Sequence, residues 1–362
     1  MFLNSYYDSL YLYVFTGIAA WVFAHAAERS SRDAAKRIYL FISGFILFVV
    51  LGTRYEVSND YAVYTNLFNN AEFGHYLGLT YQEPGYFLFN CLIKIFTDDA
   101  RYIFIITAAI TIGLIFSTFY YLRKRINLSF AVLAYICVFY YVSFCLLRIS
   151  LAASLLFFAI RYIIQYKKAK FLTCLLIAFS IHYSTALWLP VLVGYYYVRK
   201  NKMKVFWAIS ISYFIILNSL SFLPYIGLER YQLYLDSNAR SGFGLAIIFY
   251  YAPLLWLLWY LNKNKLIEHN DFAILLSMAV MQTINYYTHY IFNAAGRSYL
   301  TFTYIIIYLI PLSVKLTTGI RRNLLMFIFV LYLIISLWLR SISFYDPDGL
   351  NIFPYKSYLF VL

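Results

Sequence analysis

The sequence predicts an all-α integral membrane protein that crosses the bilayer many times. The 362 residues are 63% hydrophobic and only 12% charged. Long apolar runs alternate with short polar segments, and about 20 apolar residues in a helix cross the roughly 30 Å hydrocarbon core. The 29 Lys and Arg residues exceed the 15 Asp and Glu residues, and most of them lie in the short segments between the runs. These three features are typical of a polytopic membrane protein.

The apolar runs predict ten spans, with basic clusters at every second junction between them. They lie near residues 9–27, 38–53, 101–122, 126–144, 146–165, 205–222, 244–261, 271–289, 298–314 and 323–340. Residues 171–198 form a shorter apolar run with basic clusters at both ends, whereas two full spans need about 40 residues. We therefore expect two short helices, near 171–181 and 184–198, that fold into a hairpin with its tip at residues 181–184. The total is about 12 membrane segments.

The basic clusters predict the orientation, because membrane proteins keep short Lys/Arg-rich loops in the cytoplasm. The clusters fall at every second junction and place both termini outside the cytoplasm. We expect residues 1–362 to form a single polytopic domain with outer loops at 54–100 and 223–243 and an outer tail at 341–362. In the first loop, apolar residues from Tyr61 to Phe68 recur at helical spacing, which predicts an amphipathic surface helix capped by Asn59 or Asp60.

Several classes of function are disfavoured. The positive charge is distributed over separate loops rather than one face, which does not indicate nucleic-acid binding. The four cysteines lack metal-binding spacing. The chain also has no Gly-rich phosphate loop, no HExxH and no GxSxG. We therefore expect no cofactor and no metal.

Three arginines at predicted outward helix ends form a candidate anion site. Arg148 lies in an apolar run with no acid nearby in sequence, and an intramembrane charge of this kind costs roughly 2.5–3.5 kcal/mol on insertion scales unless it faces a cavity or a partner. Arg54 follows the second span, and Arg297 begins a later one. Arg54 or Arg297 alone also fits an interfacial anchor, and Arg148 also fits a residue that snorkels at a helix boundary. As a set they suit a phosphate or diphosphate, which guanidinium groups bind bidentately.

Three residues are candidates for a general base. Asp60 and Glu83 are carboxylates in the first outer loop, and His182 lies at the predicted hairpin tip. The alternatives are structural: Asp60 caps a helix, Glu83 begins a turn, and His182 is a buried histidine with satisfied hydrogen bonds. The sequence does not select one base among the three.

At these residues the chain resembles the EpsG-like family of bacterial polysaccharide polymerases, which are related to O-antigen polymerases. The resemblance covers roughly residues 45–305 and departs from the family at two places, where Ser58-Asn59 replaces a frequent Gly and Ile149 replaces a frequent Gln. The matching pieces, in order, are Arg54-Tyr55, Asp60-Tyr61, Tyr64, Glu83-Pro84-Gly85-Tyr86, Arg148, Leu151-Ala152, Lys170-Phe171, Ala178-Phe179, His182-Tyr183-Ser184 and Arg297-Ser298-Tyr299.

The resemblance implies a GT-C-like glycosyltransferase in the bacterial inner membrane with its active site facing the periplasm. Such an enzyme joins oligosaccharide repeat units carried on undecaprenyl diphosphate into O-antigen, capsule or exopolysaccharide. Donor and acceptor are both lipid-linked, and a chain-length regulator and a flippase are expected partners. Arg54, Arg148 and Arg297 would bind the diphosphate, and Asp60, Glu83 or His182 would take the acceptor proton.

The residues alone leave two other functions open. A flippase for lipid-linked oligosaccharides has a similar number of spans, but its charged groups run through the depth of the bundle, often with a repeat between halves. An O-acyltransferase acting on glycans needs catalytic groups near inner helix ends, where His25 and Arg29 lie.

Overall fold

The computed structural model describes residues 6–74, 82–219, 245–291, 299–346 and 349–360. Within these ranges the regular structure is helical, and one isolated bridge pairs Arg54 with Ser357. The α-helices are α1 (Tyr6–Arg29), α2 (Asp33–Gly52), α3 (Tyr61–Asn69), α4 (Pro84–Lys94), α5 (Arg101–Leu122), α6 (Leu128–Tyr135), α7 (Val142–Cys145), α8 (Leu147–Ile164), α9 (Lys168–Ile181), α10 (Leu189–Arg199), α11 (Met203–Ser219), α12 (Leu245–Lys263), α13 (His269–Ile291), α14 (Tyr304–Leu316) and α15 (Gly319–Ser341). A π-helix (Ile136–Tyr140) joins α6 to α7.

Among the described residues, six helical segments are long and apolar enough to cross a membrane. They are Tyr7–Arg29, Asp33–Gly52, Arg101–Leu122, Leu147–Ile164, Tyr299–Leu316 and Gly319–Phe344. The all-helical, multi-pass membrane class is therefore confirmed. The count of about 12 segments stays a prediction. The predicted outer loop 223–243 lies outside the described residues.

The helical path breaks at the predicted hairpin tip. Helix α9 ends at Ile181, and His182 takes an extended conformation with φ −153° and ψ 115°. A 3₁₀ helix (Tyr183–Trp188) follows and leads into α10. The two short helices are present, while their folding back as a hairpin stays a prediction.

The chain divides into two compact units. The first contains Met1–Tyr183 with Ile310–Leu362, and in it α1 packs on α2, α2 on α5, α5 on α8 and α8 on α9. The second contains Ser184–Leu309, and there α13 packs against α10, α11 and α12. A hydrogen bond of 2.8 Å from the Asn285 amide to the Tyr213 hydroxyl joins α13 to α11 inside the second unit.

In the first unit, charged turns that the sequence assigns to the cytoplasm lie together. Lys315 donates to Glu28 at 2.7 Å, and the other carboxylate oxygen of Glu28 accepts from the Leu128 backbone N–H at 2.8 Å. Arg123 pairs with Asp33 at 2.8 Å. The last turns of α1 and α14, the start of α2 and the segment that joins α5 to α6 therefore lie close together in this unit. Which side of the membrane they face stays a prediction.

The C-terminal tail packs on the loop that follows α2. The Tyr13 hydroxyl donates to the Ile352 carbonyl at 2.8 Å. Backbone hydrogen bonds of 2.9 Å join residues 53–55 to residues 356–358. The tail thereby covers Arg54 and ties the start of α1 to the end of α2.

Tyr13→Phe tests how firmly the tail is held. The substitution removes the hydroxyl that holds the Ile352 carbonyl, and we expect a loss of about 1 kcal/mol in unfolding free energy because one buried hydrogen bond is lost. The measurement is the thermal unfolding midpoint of the detergent-purified protein. Tyr11→Phe is the matched control, since Tyr11 is exposed on the same helix. Equal midpoints for the two variants would contradict the tail anchor.

Candidate functional site

Arg148 forms an ion pair with a distant carboxylate. Leu146 leaves helical geometry, with φ −97° and ψ 72°, so α8 starts afresh and places Arg148 in its first turn. The Arg148 Nη1 donates to Glu83 Oε2 at 2.5 Å, across 65 positions of sequence. The two side chains are 22% and 11% exposed. The acid that the local sequence lacks therefore comes from the first predicted outer loop.

Glu83 is held in place by the start of α4. It occupies the N-cap position in an extended conformation, φ −71° and ψ 145°, and its side chain makes no capping hydrogen bond. Pro84 follows in the first turn, where a fixed φ suits a helix start and a missing N–H costs nothing. The carboxylate is consequently directed to Arg148 instead of its own helix.

Gly85 brings this helix start against the end of α9. A Cβ placed on Gly85 would lie 2.7 Å from the Ser180 carbonyl oxygen and would also clash with the Ser180 side chain. Ser180 is two residues before His182. The only side chain small enough for this approach is hydrogen, so glycine allows the segments that carry Glu83 and His182 to lie side by side.

Two tyrosine rings surround the Arg148 guanidinium. Its Cζ lies 6.0 Å from the Tyr64 ring centroid and 5.7 Å from that of Tyr86, within the range of cation–π attraction. The two rings contact each other edge to face, with their centroids 6.0 Å apart. Burial raises the pKa of Tyr64 to about 12, and the charge of Arg148 opposes that shift. No role was predicted for Tyr64 or Tyr86, although both occur in the motifs that carry the family resemblance.

Asp60 lies next to this cluster. It precedes α3 at the N-cap position, but its side chain makes no capping hydrogen bond. Its negative charge acts on Tyr64, where it helps to raise the pKa of that phenol. The buried residues of α3, Tyr61 and Phe68 among them, face the protein, and α3 packs on α4 and α5. Contact of its other face with a membrane stays a prediction.

Arg54 is closed off from solvent. The residue is 1% exposed, its Nη1 donates to the Leu51 carbonyl, and its Cζ lies 4.9 Å from the Phe104 ring centroid and 5.6 Å from that of Phe144. Burial lowers the pKa of the Arg54 guanidinium from its usual value. Arg54 therefore occupies a different environment from the part-exposed Arg148.

The structure thus joins Arg148 to Glu83 directly and places Asp60 and the His182 segment beside that pair. Arg297 lies outside the described residues. Within the described ranges, no group of three or more His, Cys, Asp or Glu side chains is placed to hold a metal ion. Metal independence stays a prediction.

Gly85→Ala tests the close approach of α4 and α9. The added methyl group meets a backbone carbonyl, so we expect overpacking to destabilise the protein by about 1–3 kcal/mol. The thermal unfolding midpoint of the detergent-purified protein measures this loss of stability. Gly113→Ala is the control, because a Cβ at this helical glycine of α5 meets nothing within 4 Å. A Gly85→Ala midpoint as high as that of Gly113→Ala would show that the contact is not tight.

A family model described as the EpsG family matches residues 37–357, most of the chain. No curated protein and no solved structure matches.

Proposed function

The chain belongs to the EpsG family, and from this premise we propose that it polymerises undecaprenyl-diphosphate-linked oligosaccharide repeat units. The family indicates a membrane polysaccharide polymerase. The proposed product is O-antigen, capsule or exopolysaccharide, formed on the outer face of the bacterial inner membrane. A GT-C-like architecture of about 12 segments, with both termini outside, belongs to the same proposal.

The ion pair of Arg148 and Glu83 carries the assignment. It combines a cation that suits a diphosphate with a carboxylate that suits proton transfer. The Arg148 Nη1 and the Glu83 Oε2 are 2.5 Å apart. Both side chains keep some exposure, and aromatic rings line the guanidinium. A sugar transfer that departs from a lipid diphosphate needs these two groups close together.

The reaction requires one proton acceptor and one site of charge neutralisation. A hydroxyl of the acceptor sugar attacks the anomeric carbon of the donor chain, and its proton passes to Glu83. The new glycosidic C–O bond forms as the bond between that carbon and the diphosphate breaks. The bonding electrons leave with the diphosphate, whose growing negative charge is stabilised by Arg148.

Substrate binding exchanges the partner of Arg148. Phosphate oxygens compete with the Glu83 carboxylate for the guanidinium, whose buried Nε has no hydrogen-bond partner among the described residues. Binding through this nitrogen and an adjacent Nη supplies the bidentate geometry that a guanidinium favours with phosphate. Release from Arg148 leaves Glu83 as a free carboxylate, the form that accepts a proton.

The proposal also keeps the other residues that the sequence predicts for the site. His182 and Asp60 stay alternative bases beside Glu83. Arg297 stays in the diphosphate set. Arg54 is 1% exposed, so in this proposal it does not contact the diphosphate. A chain-length regulator and a flippase remain the proposed partners.

Arg148→Ala tests the diphosphate contact. We expect the rate of chain elongation to fall about 100-fold or more, because a preorganised donor to the leaving group is lost. Arg148→Lys is expected to rescue poorly, since an ammonium lacks the planar fork. The readout is the length distribution of surface glycan at equal membrane levels of protein. Arg101→Ala is the matched control, because Arg101 pairs with Asp99 on an exposed surface. Long glycan chains from Arg148→Ala cells would contradict the proposal.

Glu83→Gln separates the base from the structural partner. Glutamine keeps a hydrogen-bond acceptor for Arg148 but does not take a proton, and loss of a general base costs about 10²–10⁴-fold in rate. Purified enzyme with lipid-linked donor and acceptor gives kcat and KM. A fall in kcat at unchanged unfolding midpoint supports Glu83. The same fall in Asp60→Asn or His182→Gln, with Glu83→Gln active, assigns the base to that residue instead.

Deletion of the gene distinguishes the polymerase from a flippase. Loss of the polymerase leaves surface glycan of single repeat units, whereas loss of a flippase leaves none. Gel analysis of surface glycan decides between the two.

A further inference from the structure

The interior of the first unit contains a small cavity beside Arg54. It has a volume of about 10 Å³, close to the space occupied by one water-sized particle. Every residue that lines it is buried, with 3% exposure or less. The cavity lies between α2, α5 and α8 and is separate from the part-exposed Arg148–Glu83 pair.

Four of the residues that line the cavity carry polar atoms without partners among the described residues, and four others, Leu51, Phe104, Ala108 and Leu147, are apolar. Arg54 Nε and Nη2, the hydroxyls of Thr107 and Thr111 on α5, and the hydroxyl of Ser150 on α8 have no hydrogen-bond partner in the described part of the chain. Thr107 and Thr111 are four residues apart and so share one face of α5. Unpaired polar groups are rare in protein interiors, which indicates that these atoms bind something.

The charge of Arg54 selects the kind of ligand. A guanidinium is effectively always protonated, and burying a charge without a partner is costly. In the described ranges no carboxylate lies within ion-pair distance of Arg54, and its close partners are a carbonyl and two aromatic rings. A neutral water would leave the positive charge uncompensated.

The number of hydrogen-bond donors around the cavity also favours an anion over water. Arg54 offers only donors, and each hydroxyl can also donate. A water molecule accepts about two hydrogen bonds, whereas a small anion accepts from all directions. A phosphate group is too large for about 10 Å³.

We propose that this cavity binds a single monatomic anion of the halide class, chloride under physiological conditions. Arg54 and the hydroxyls of Thr107, Thr111 and Ser150 hold it, and it neutralises the buried guanidinium. Ser150 lies two residues after Arg148 in the first turn of α8, so the anion also fixes the helix turn that carries the proposed diphosphate ligand. The site is independent of the proposed function.

Thermal unfolding in mixed salts tests the site. The detergent-purified full chain is titrated from sodium gluconate to sodium chloride, and in parallel to sodium bromide, at constant ionic strength. A ligand that binds only the folded state raises the unfolding midpoint with its concentration. We expect a saturable rise with both halides.

Matched threonine variants identify the cavity as the source of the rise. Thr111→Val keeps the shape and removes one donor to the anion, so the half-saturating chloride concentration should increase about ten-fold. Thr118→Val is the control on the same helix, since the Thr118 hydroxyl bonds the Leu114 carbonyl and does not line the cavity. Crystals grown in bromide should show anomalous scattering between Arg54 and Ser150.

Three outcomes overturn the proposal. Equal midpoints in gluconate and chloride at every mixture mean that the cavity holds water. A chloride response that Thr111→Val and Thr118→Val share equally means a general salt effect. A Thr111-dependent response to inorganic diphosphate, with none to chloride, assigns the cavity to the substrate.

Discussion

The site depends on the requirement that a guanidinium within an apolar protein must have a partner. Arg148 begins α8 in a run of apolar residues, and its own segment supplies no acid. Glu83 supplies it from another helix, at 2.5 Å. Removing one member of such a pair leaves the other charge partly buried and uncompensated, so loss of either partner is expected to weaken the contact between the two segments.

The surrounding structure is arranged to bring this pair together. The break at Leu146 places Arg148 in a first helical turn, where its side chain is not enclosed by a preceding turn of α8. Pro84 starts α4 immediately after Glu83, and Gly85 lets that start approach Ser180. Small local features therefore determine where a carboxylate and a guanidinium meet, and Gly85 also brings the start of α4 against the end of α9, two residues before His182.

Arg54 and Arg148 lie in the same unit but in different environments, and the two environments favour different roles. Arg148 has a carboxylate partner and partial exposure, which suit exchange with a charged substrate. Arg54 has aromatic faces, one carbonyl and a small cavity lined by buried residues, which suit a small ligand. The tail that pairs with residues 53–55 keeps Arg54 closed. The proposed diphosphate contact therefore belongs to Arg148, and the proposed anion site belongs to Arg54.

The sequence alone determined the helical membrane class and the helix break near His182, because apolar run length and the clustering of charge are local properties. It also named candidate site residues, whose roles stay proposals. It did not reveal that Arg148 pairs with Glu83, since no local pattern records a contact across 65 positions. It also grouped Arg54 with Arg148, because both arginines adjoin helix ends. Tertiary packing separated them, since burial depends on what covers a residue, and here distant aromatic rings and the C-terminal tail cover Arg54.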